Sequence, residues 1–258
     1  MQRAAADTPL NLLWLQSGGC GGCTLSLLNA EQPHLYAHLE QAGIRLLWHP
    51  SLSTASGGAV RELLKACVEG LERLDILCVE GSLLTGPNGT GRFHTLSGTG
   101  RPMIEWVRQL AARARHVVAV GSCAAFGGIT AAGGNPSGAM GLQYDGDQVG
   151  GLLGQNFRSH AGLPVINVAG CPTHPGWVLD TLLALALDRF AAADLDPLNR
   201  PRFYADHLVH HGCPRNEFYE FKASAEKSSD QGCMMEHMGC KGTQAHADCN
   251  TRLWNGAG

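Results

Sequence analysis

Ten cysteines punctuate the 258 residues, and their spacing sorts them into groups. Cys20 and Cys23 form a C-x-x-C pair inside "LLWLQSGGCGGCTLSLL", residues 12–28, flanked by four glycines. Cys123 in "GSCAAFGG" and Cys171 in "AGCPTHP" stand alone, each beside glycine or proline. Cys213, Cys233, Cys240 and Cys249 fall within 37 residues near the end, among His210, His211, His237 and His246. A C-x-x-C pair suits a redox dithiol, half of a zinc site or half of an iron-sulfur site, and a glycine-rich turn before a helix also suits a phosphate. The remaining cysteines decide among these.

Those residues need elements to carry them. Short, nearly continuous apolar runs recur at Asn11–Gln16, Ile44–His49, Asp75–Glu80, Val117–Ser122 and Pro164–Gly170, as expected of strands covered on both faces. Stretches with helical spacing lie between them: "TLSLLNAEQPHLYAHLEQAG", "GAVRELLKACVEGLERL", "PMIEWVRQLAARAR" and "PGWVLDTLLALALDRFAAA". Pro33 is expected to kink or delay the first helix. Five alternations of strand and helix predict an α/β chain with a doubly wound parallel sheet. In that sheet Cys20 and Cys23 follow the first strand, Cys123 the fourth and Cys171 the fifth. Four thiols then share the carboxyl edge, where open α/β sheets bind ligands.

The glycines let the backbone bend sharply and approach a bulky group, and turn N–H groups can donate to an anionic sulfide cluster. A dinucleotide is disfavoured, because Thr24 stands where the third glycine of GxGxxG would fall. "GPNGTGRF" is no P-loop, having Arg92 and Phe93 where Lys and Ser/Thr are required. Four cysteines also suit zinc, but structural zinc is generally stapled by two nearby pairs, whereas here one pair is completed by two distant singletons.

Composition limits the remaining classes. Hydrophobic residues make up 44% and charged residues 16%, enough for a substantial core, and the net charge of −3 gives no basic stripe for nucleic acid. No apolar run reaches the roughly 18 residues of a membrane span. "MQRAAADTPL" has neither a signal core nor a twin arginine, so the expectation is a cytoplasmic chain, where ten thiols point to metal or redox chemistry before disulfides. Composition divides the chain into residues 1–195 and 196–258, with the turn-rich linker "AADLDPLNRPRFY", residues 192–204, across the boundary. That part has too little apolar content to fold easily on packing alone, and metal ligation would supply the missing free energy.

The motifs "SGGCGGC", "GSCAAFGG", "AGCPTHP", "VHHGCPRNEFYE", "GCMMEHMGCKG" and "CNTRLWNG", in this order, resemble the small subunit of nickel-iron hydrogenases over nearly the whole chain. "LLWHPSLS", "GPNGTGRFHTLSGTG", "FKASAEKSSD" and "KGTQAHADCNTRLWNG" look most like its cytoplasmic hydrogen-sensing, or regulatory, branch. The resemblance implies a flavodoxin-like domain followed by a smaller, irregular iron-sulfur domain. It implies a proximal 4Fe-4S cluster on Cys20, Cys23, Cys123 and Cys171. It also implies a distal 4Fe-4S cluster on His210, Cys213, Cys233 and Cys240, with His211 the competing histidine and a loop of altered length between the last two cysteines. Cys249 would begin a medial cluster, and the two further cysteines the family places after "CNTRLWNG" do not appear, so the sequence reads as a fragment.

The nickel-iron centre would sit on a large partner subunit, since the family holds it with two C-x-x-C pairs and this chain has one. Hydrogen would be oxidised there, and electrons would leave through the clusters held here, reporting to a sensor histidine kinase. An electron-relay subunit of a respiratory uptake hydrogenase, with a quinone or cytochrome acceptor, is the alternative. A quinone-reductase subunit of the complex I type is another, though it has no use for the segment from His210 to Cys249. A zinc-stabilised binding protein is the fallback. Cys67 and Cys78 are expected to be buried apolar residues. Glu80 ends the third strand on the thiol edge, where it would meet backbone donors, protons or a partner subunit. His49 and His94 are expected to be structural, and His174 to donate a hydrogen bond near the cluster.

Overall fold

The computed structural model describes residues 8–31 and 33–254. The chain divides into two compact units, 1–200 and 201–258.

In the first unit, β1 (Leu10–Gln16), β2 (Ile44–Trp48), β3 (Ile76–Glu80), β5 (His116–Val120) and β9 (Ile166–Val168) form one parallel sheet in the order β2-β1-β3-β5-β9. This is the flavodoxin-like doubly wound order, and its direction reverses between β1 and β3. The register pairs Trp14 with Cys78 and Gln16 with Glu80, then Cys78 with Val118 and Glu80 with Val120. Every residue of β3 and β5 is buried, which is why these strands read as unbroken apolar runs and not as alternating ones. Short antiparallel pairs, β4 (Leu83–Leu84) with β6 (Ala139–Met140) and β7 (Tyr144–Asp145) with β8 (Gln148–Val149), lie in the connections.

Leu13, Leu15, Leu77, Val79, Val117 and Ala119 of the sheet share a core with Val60 and Leu64 of α3 (Gly58–Glu69) and Trp106, Val107 and Leu110 of α4 (Met103–Ala111). The helical spacing of those residues is what turns one face of each helix inward. Gly70, in the left-handed region at φ 79°, stops α3 and returns its N–H to the carbonyl of Ala66. α1 (Gly22–Leu28), α2 (Leu35–Gln41) and α6 (Pro175–Ala186) form a second helical group, in which His38 Nε2 meets the carbonyl of Leu179 at 2.8 Å. Cys67 and Cys78 are buried, as expected.

Two local expectations change. The single helix read across residues 24–43 is two helices, α1 and α2, with Pro33 in the break. The fourth strand ends at Val120, because Gly121 takes φ 86° and opens α5 (Gly121–Phe126), so Cys123 sits in a helix's first turn and not in a loop. Residues 196–200 hydrogen-bond to β9 through Asn167, whose side-chain Nδ2 donates to the carbonyl of Leu198 and whose backbone N–H donates to that of Asn199, both at 2.8 Å.

The second unit is built of short pieces: α7 (Arg202–Ala205), α8 (Asn216–Glu220), α9 (Met235–Met238) and α10 (Cys249–Arg252), joined by turns. Its buried apolar residues among those described are Tyr204, Ala205 and Ala225. No helix among the described residues is long and apolar enough to cross a membrane.

Candidate iron-sulfur sites

β1 does not end cleanly at Gln16. Ser17 N–H donates to the carbonyl of Glu80 at 2.7 Å, and Gly18 and Ser82 exchange backbone hydrogen bonds at 2.9 and 2.8 Å. The C-x-x-C turn is therefore laced to the end of β3 at the point where strand order reverses. Gly81 makes this possible: it has φ 86°, and a Cβ there would come within 2.9 Å of the Ser17 backbone.

The structure gathers the four predicted thiols at this edge. Cys20 and Cys123 act electrostatically on Cys23, and Cys20 and Cys171 act on Cys123. Three glycines make room for the sulfurs. A Cβ at Gly121 would fall 2.4 Å from Cys23 Sγ, one at Gly128 would fall 2.7 Å from Cys123 Sγ, and one at Gly22 would fall 3.0 Å from Cys20 Sγ. Ser26 Oγ donates to the carbonyl of Thr173 at 2.7 Å, tying α1 to the Cys171 turn.

Burial pushes the Cys23 thiol up to about 12, with the charges of Glu80, Cys123 and Cys20 adding and the Thr173 N–H opposing. Cys123 is raised too, chiefly by burial, against the N–H groups of Ile129 and Thr130. Alone, these thiols stay protonated. A bound cationic centre reverses that preference, and the N–H donors already aimed at the sulfurs stabilise the thiolates it would require. The donor set and its glycine-lined room fit an iron-sulfur cluster.

Glu80, 4% exposed, is the centre of a polar cluster beside this turn. Its Oε2 accepts from Trp14 Nε1 at 3.2 Å, from Gln16 Nε2 at 3.1 Å and from the Thr24 hydroxyl, and its Oε1 accepts from Thr24 N–H at 3.0 Å. His49, placed above as a structural residue, belongs to the same cluster: Nε2 lies 3.2 Å from Thr24 Oγ1, and Nδ1 accepts from Ser51 N–H at 3.0 Å. Burial pulls His49 down to about 4, against the opposing charge of Glu80. The strand register sets Gln16 against Glu80 and so assembles this cluster, and that register carries no signal in the sequence. His94 Nδ1 meets Ser17 Oγ at 3.2 Å, and His174 Nδ1 caps α6 by accepting from Gly176 N–H at 3.0 Å.

In the second unit, backbone bonds draw the remaining ligand candidates into adjoining turns. His210 N–H donates to the carbonyl of Gly242 at 2.9 Å, and a Cβ at Gly242 would lie 3.4 Å from Cys240 Sγ and 3.8 Å from His210 N. Cys213 N–H donates to the carbonyl of His210 at 3.2 Å. Arg215 Nη1 reaches the carbonyls of Asp230 and Gly232 at 3.0 and 2.8 Å, joining the Cys213 turn to the Cys233 turn. The amides of Arg215 and Gly242 point at the sulfurs of Cys213 and Cys240, at 3.4 and 3.3 Å. The His210 ring packs edge-on against Tyr219, centroids 4.4 Å apart, while His211 lies on the neighbouring position with its ring 6.1 Å from that of His210. Cys249 opens α10, whose Asn250 donates to the carbonyl of Val209 at 2.7 Å. Among the described residues, no three or more His, Cys, Asp or Glu side chains converge on a single-ion position.

Residues 20–185 match the family of the NADH ubiquinone oxidoreductase 20 kDa subunit, to which this domain belongs. Residues 205–258 match the carboxy-terminal family of NiFe and NiFeSe hydrogenase small subunits. The periplasmic NiFeSe hydrogenase small subunit of Desulfomicrobium baculatum is 32% identical over 268 residues, covering 99% of this chain and 80% of that one. The chain belongs to the small subunits of nickel-iron hydrogenases. The hydrogenase-2 small chain of Escherichia coli is 33% identical over 245 residues, 93% of this chain and 60% of its own. An actinobacterial-type NiFe-hydrogenase from Ralstonia eutropha H16 superposes with TM-score 0.86 at 32% identity, covering all of this chain and 76% of that one. Small subunits of this family carry iron-sulfur clusters and pair with a large subunit holding the nickel-iron centre, and hydrogenase activity belongs to that complex.

Proposed function

We propose that this small subunit carries a 4Fe-4S cluster on Cys20, Cys23, Cys123 and Cys171 and a second on His210, Cys213, Cys233 and Cys240, with Cys249 directed to a third. In this reading it serves a cytoplasmic hydrogen sensor whose electrons report to a histidine kinase. The observation that carries the cluster assignment is the convergence of three glycine-lined turns, from β1, β5 and β9, on one sheet edge. The sensing role rests on "LLWHPSLS", "GPNGTGRFHTLSGTG" and "FKASAEKSSD". An uptake-hydrogenase relay is the second reading, favoured by the likeness to a periplasmic NiFeSe small subunit.

The bound clusters supply one-electron transfer. The chain's own residues hold them: thiolates at the sheet edge, Thr173, Ile129 and Thr130 N–H groups on the sulfurs, and a buried core behind that excludes water.

The test is iron, sulfide, zinc and nickel content with electron paramagnetic resonance on the anaerobically purified chain, alone and with its large subunit. Iron and sulfide in cubane proportion at both sites, with nickel entering only with the partner, supports the assignment. Zinc without a paramagnetic signal after reduction overturns it. Hydrogen-dependent change in kinase phosphorylation by the purified complex separates the sensor from the relay, which would instead reduce a quinone or cytochrome.

A further inference from the structure

The directions of the hydrogen bonds around Glu80 are fixed by the chemistry of its neighbours. Ser51 N–H can only donate, so His49 Nδ1 is the acceptor and its Nε2 carries the proton toward Thr24 Oγ1. Gln16 Oε1 accepts from Ser51 Oγ at 3.2 Å, which turns the Gln16 amide N–H toward Thr24 Oγ1 at 2.8 Å and toward Glu80. With both of those donors on its oxygen, the Thr24 hydroxyl must spend its own proton on Glu80. Trp14 Nε1 and Thr24 N–H are donors only. Four donors converge on the two carboxylate oxygens, the pattern of an ionised, acceptor-only group. This buried carboxylate holds Thr24, the residue that follows Cys23, and its charge opposes ionisation of the Cys23 thiol.

We propose that the Glu80 carboxylate is a built-in negative charge that lowers the reduction potential of the cluster held by Cys20, Cys23, Cys123 and Cys171, with Thr24 as the positioning residue that aims it and offsets part of its charge, and His49 holding the Thr24 hydroxyl in place. The inference rests on the cluster assignment above. Reduction adds an electron next to a fixed negative charge, and in a poorly screened interior that costs more than it would in water. Thr24 is adjacent to Cys23 in α1, so the clamp that holds the charge also fixes the ligand turn. The donors set how much of the charge is felt: each hydrogen bond to the carboxylate offsets part of it.

The experiment is an anaerobic redox titration of the complex with its large subunit, following the cluster's paramagnetic signal and its iron content. Glu80→Gln removes the charge and is expected to raise the midpoint by about tenfold in the one-electron equilibrium, ~59 mV. Thr24→Val keeps the charge but removes its hydroxyl donor and is expected to lower the midpoint. A purely structural role would move both variants the same way or neither. An unchanged midpoint in Glu80→Gln with full iron, or equal-sign shifts in the pair, overturns the proposal. If Glu80→Gln does not load its cluster, the sign of Thr24→Val decides alone: a fall supports the proposal, while a rise or no change sinks it. Absence of the cluster signal from the unaltered complex would instead refute the ligand assignment.

Discussion

The two cysteine-bearing regions solve the same problem with different means. At the carboxyl edge of the sheet, the thiols are presented by turns whose roots are fully buried strands, so the ligand positions are paid for by the hydrophobic core behind them. In the second unit, helices of four or five residues and turn hydrogen bonds surround His210, Cys213, Cys233 and Cys240, with little buried apolar area. The first region is preorganised and the second depends on what it binds. Helices this short are unstable alone, because nucleation is costly and few bonds follow it, so ligation is the natural source of the missing free energy.

Removing iron is the strongest way to break the comparison. Chelation under reducing conditions, followed by limited proteolysis, is expected to expose cut sites throughout residues 205–254 within the time that the fragment from Leu10 to Arg200 remains intact. Equal resistance of the two regions without iron would show that the second unit folds on its own packing.

Removing single ligands sharpens it. Cys123→Ser or Cys171→Ser is expected to abolish the first cluster without unfolding the sheet. It should cut hydrogen-dependent dye reduction by the complex to below about a hundredth, since even residues that merely orient metal ligands cost 10–100-fold. His210→Ala is expected to perturb the second cluster and leave the first intact, as read by paramagnetic resonance and iron content. If His211→Ala does so instead, the histidine assignment moves by one residue.

Much of this was legible because parallel strands covered on both faces leave unbroken apolar runs, and the thiols that follow the first, fourth and fifth runs mark the edge. The strand-to-helix switch at Gly121 was not legible: Val120 offers no capping side chain, and a glycine there reads equally well as a turn. The cluster of Trp14, Gln16, Thr24, His49 and Glu80 was only partly visible, through Glu80 alone. Its members come from three strands' ends and one helix, and nothing in their separate surroundings announces that the register sets Gln16 against Glu80. In the second unit, the clustering of thiols and histidines was readable and their assignment to one site came from the family resemblance, while the turns between them, set by backbone bonds such as His210 to Gly242, were not legible.

A smaller effect separates the regions by their glycines. Gly121→Ala places a methyl group 2.4 Å from Cys23 Sγ at φ 86°, so it meets both strain and a sulfur that cannot retreat without leaving its ligand position. The expected cost is roughly 1–3 kcal/mol with reduced iron retention at the first site. Gly239→Ala, at φ 68° with nothing within 4 Å, meets the backbone term alone, about 1 kcal/mol. Iron content and thermal unfolding of the two variants make the comparison, and equal iron loss would remove the distinction between a crowded turn and an open one.

The gentlest test uses pH and touches only the first unit. His116, at the start of β5 and 3% exposed, has no hydrogen-bond partner at either ring nitrogen. Burial, aided by Arg115 and opposed by Asp188 and Asp75, pulls it down to about 4. In the unfolded chain the imidazole takes up its proton near pH 6.5, whereas the folded protein keeps it neutral until about 4. Between those values the unfolded state binds more protons, so the stability associated with neutral His116 is complete above 6.5 and is lost as pH falls through the window. His116→Leu removes this slope. Relative to its difference from the unaltered chain at pH 7, the variant should gain on the order of 2 kcal/mol by pH 4.5. That gain should appear in the unfolding of the sheet domain, while proteolysis of residues 205–254 at each pH stays as it was. A gain in both regions would mean that the second unit draws on the sheet's stability, and the contrast between a preorganised edge and a ligand-dependent tail would have to be given up.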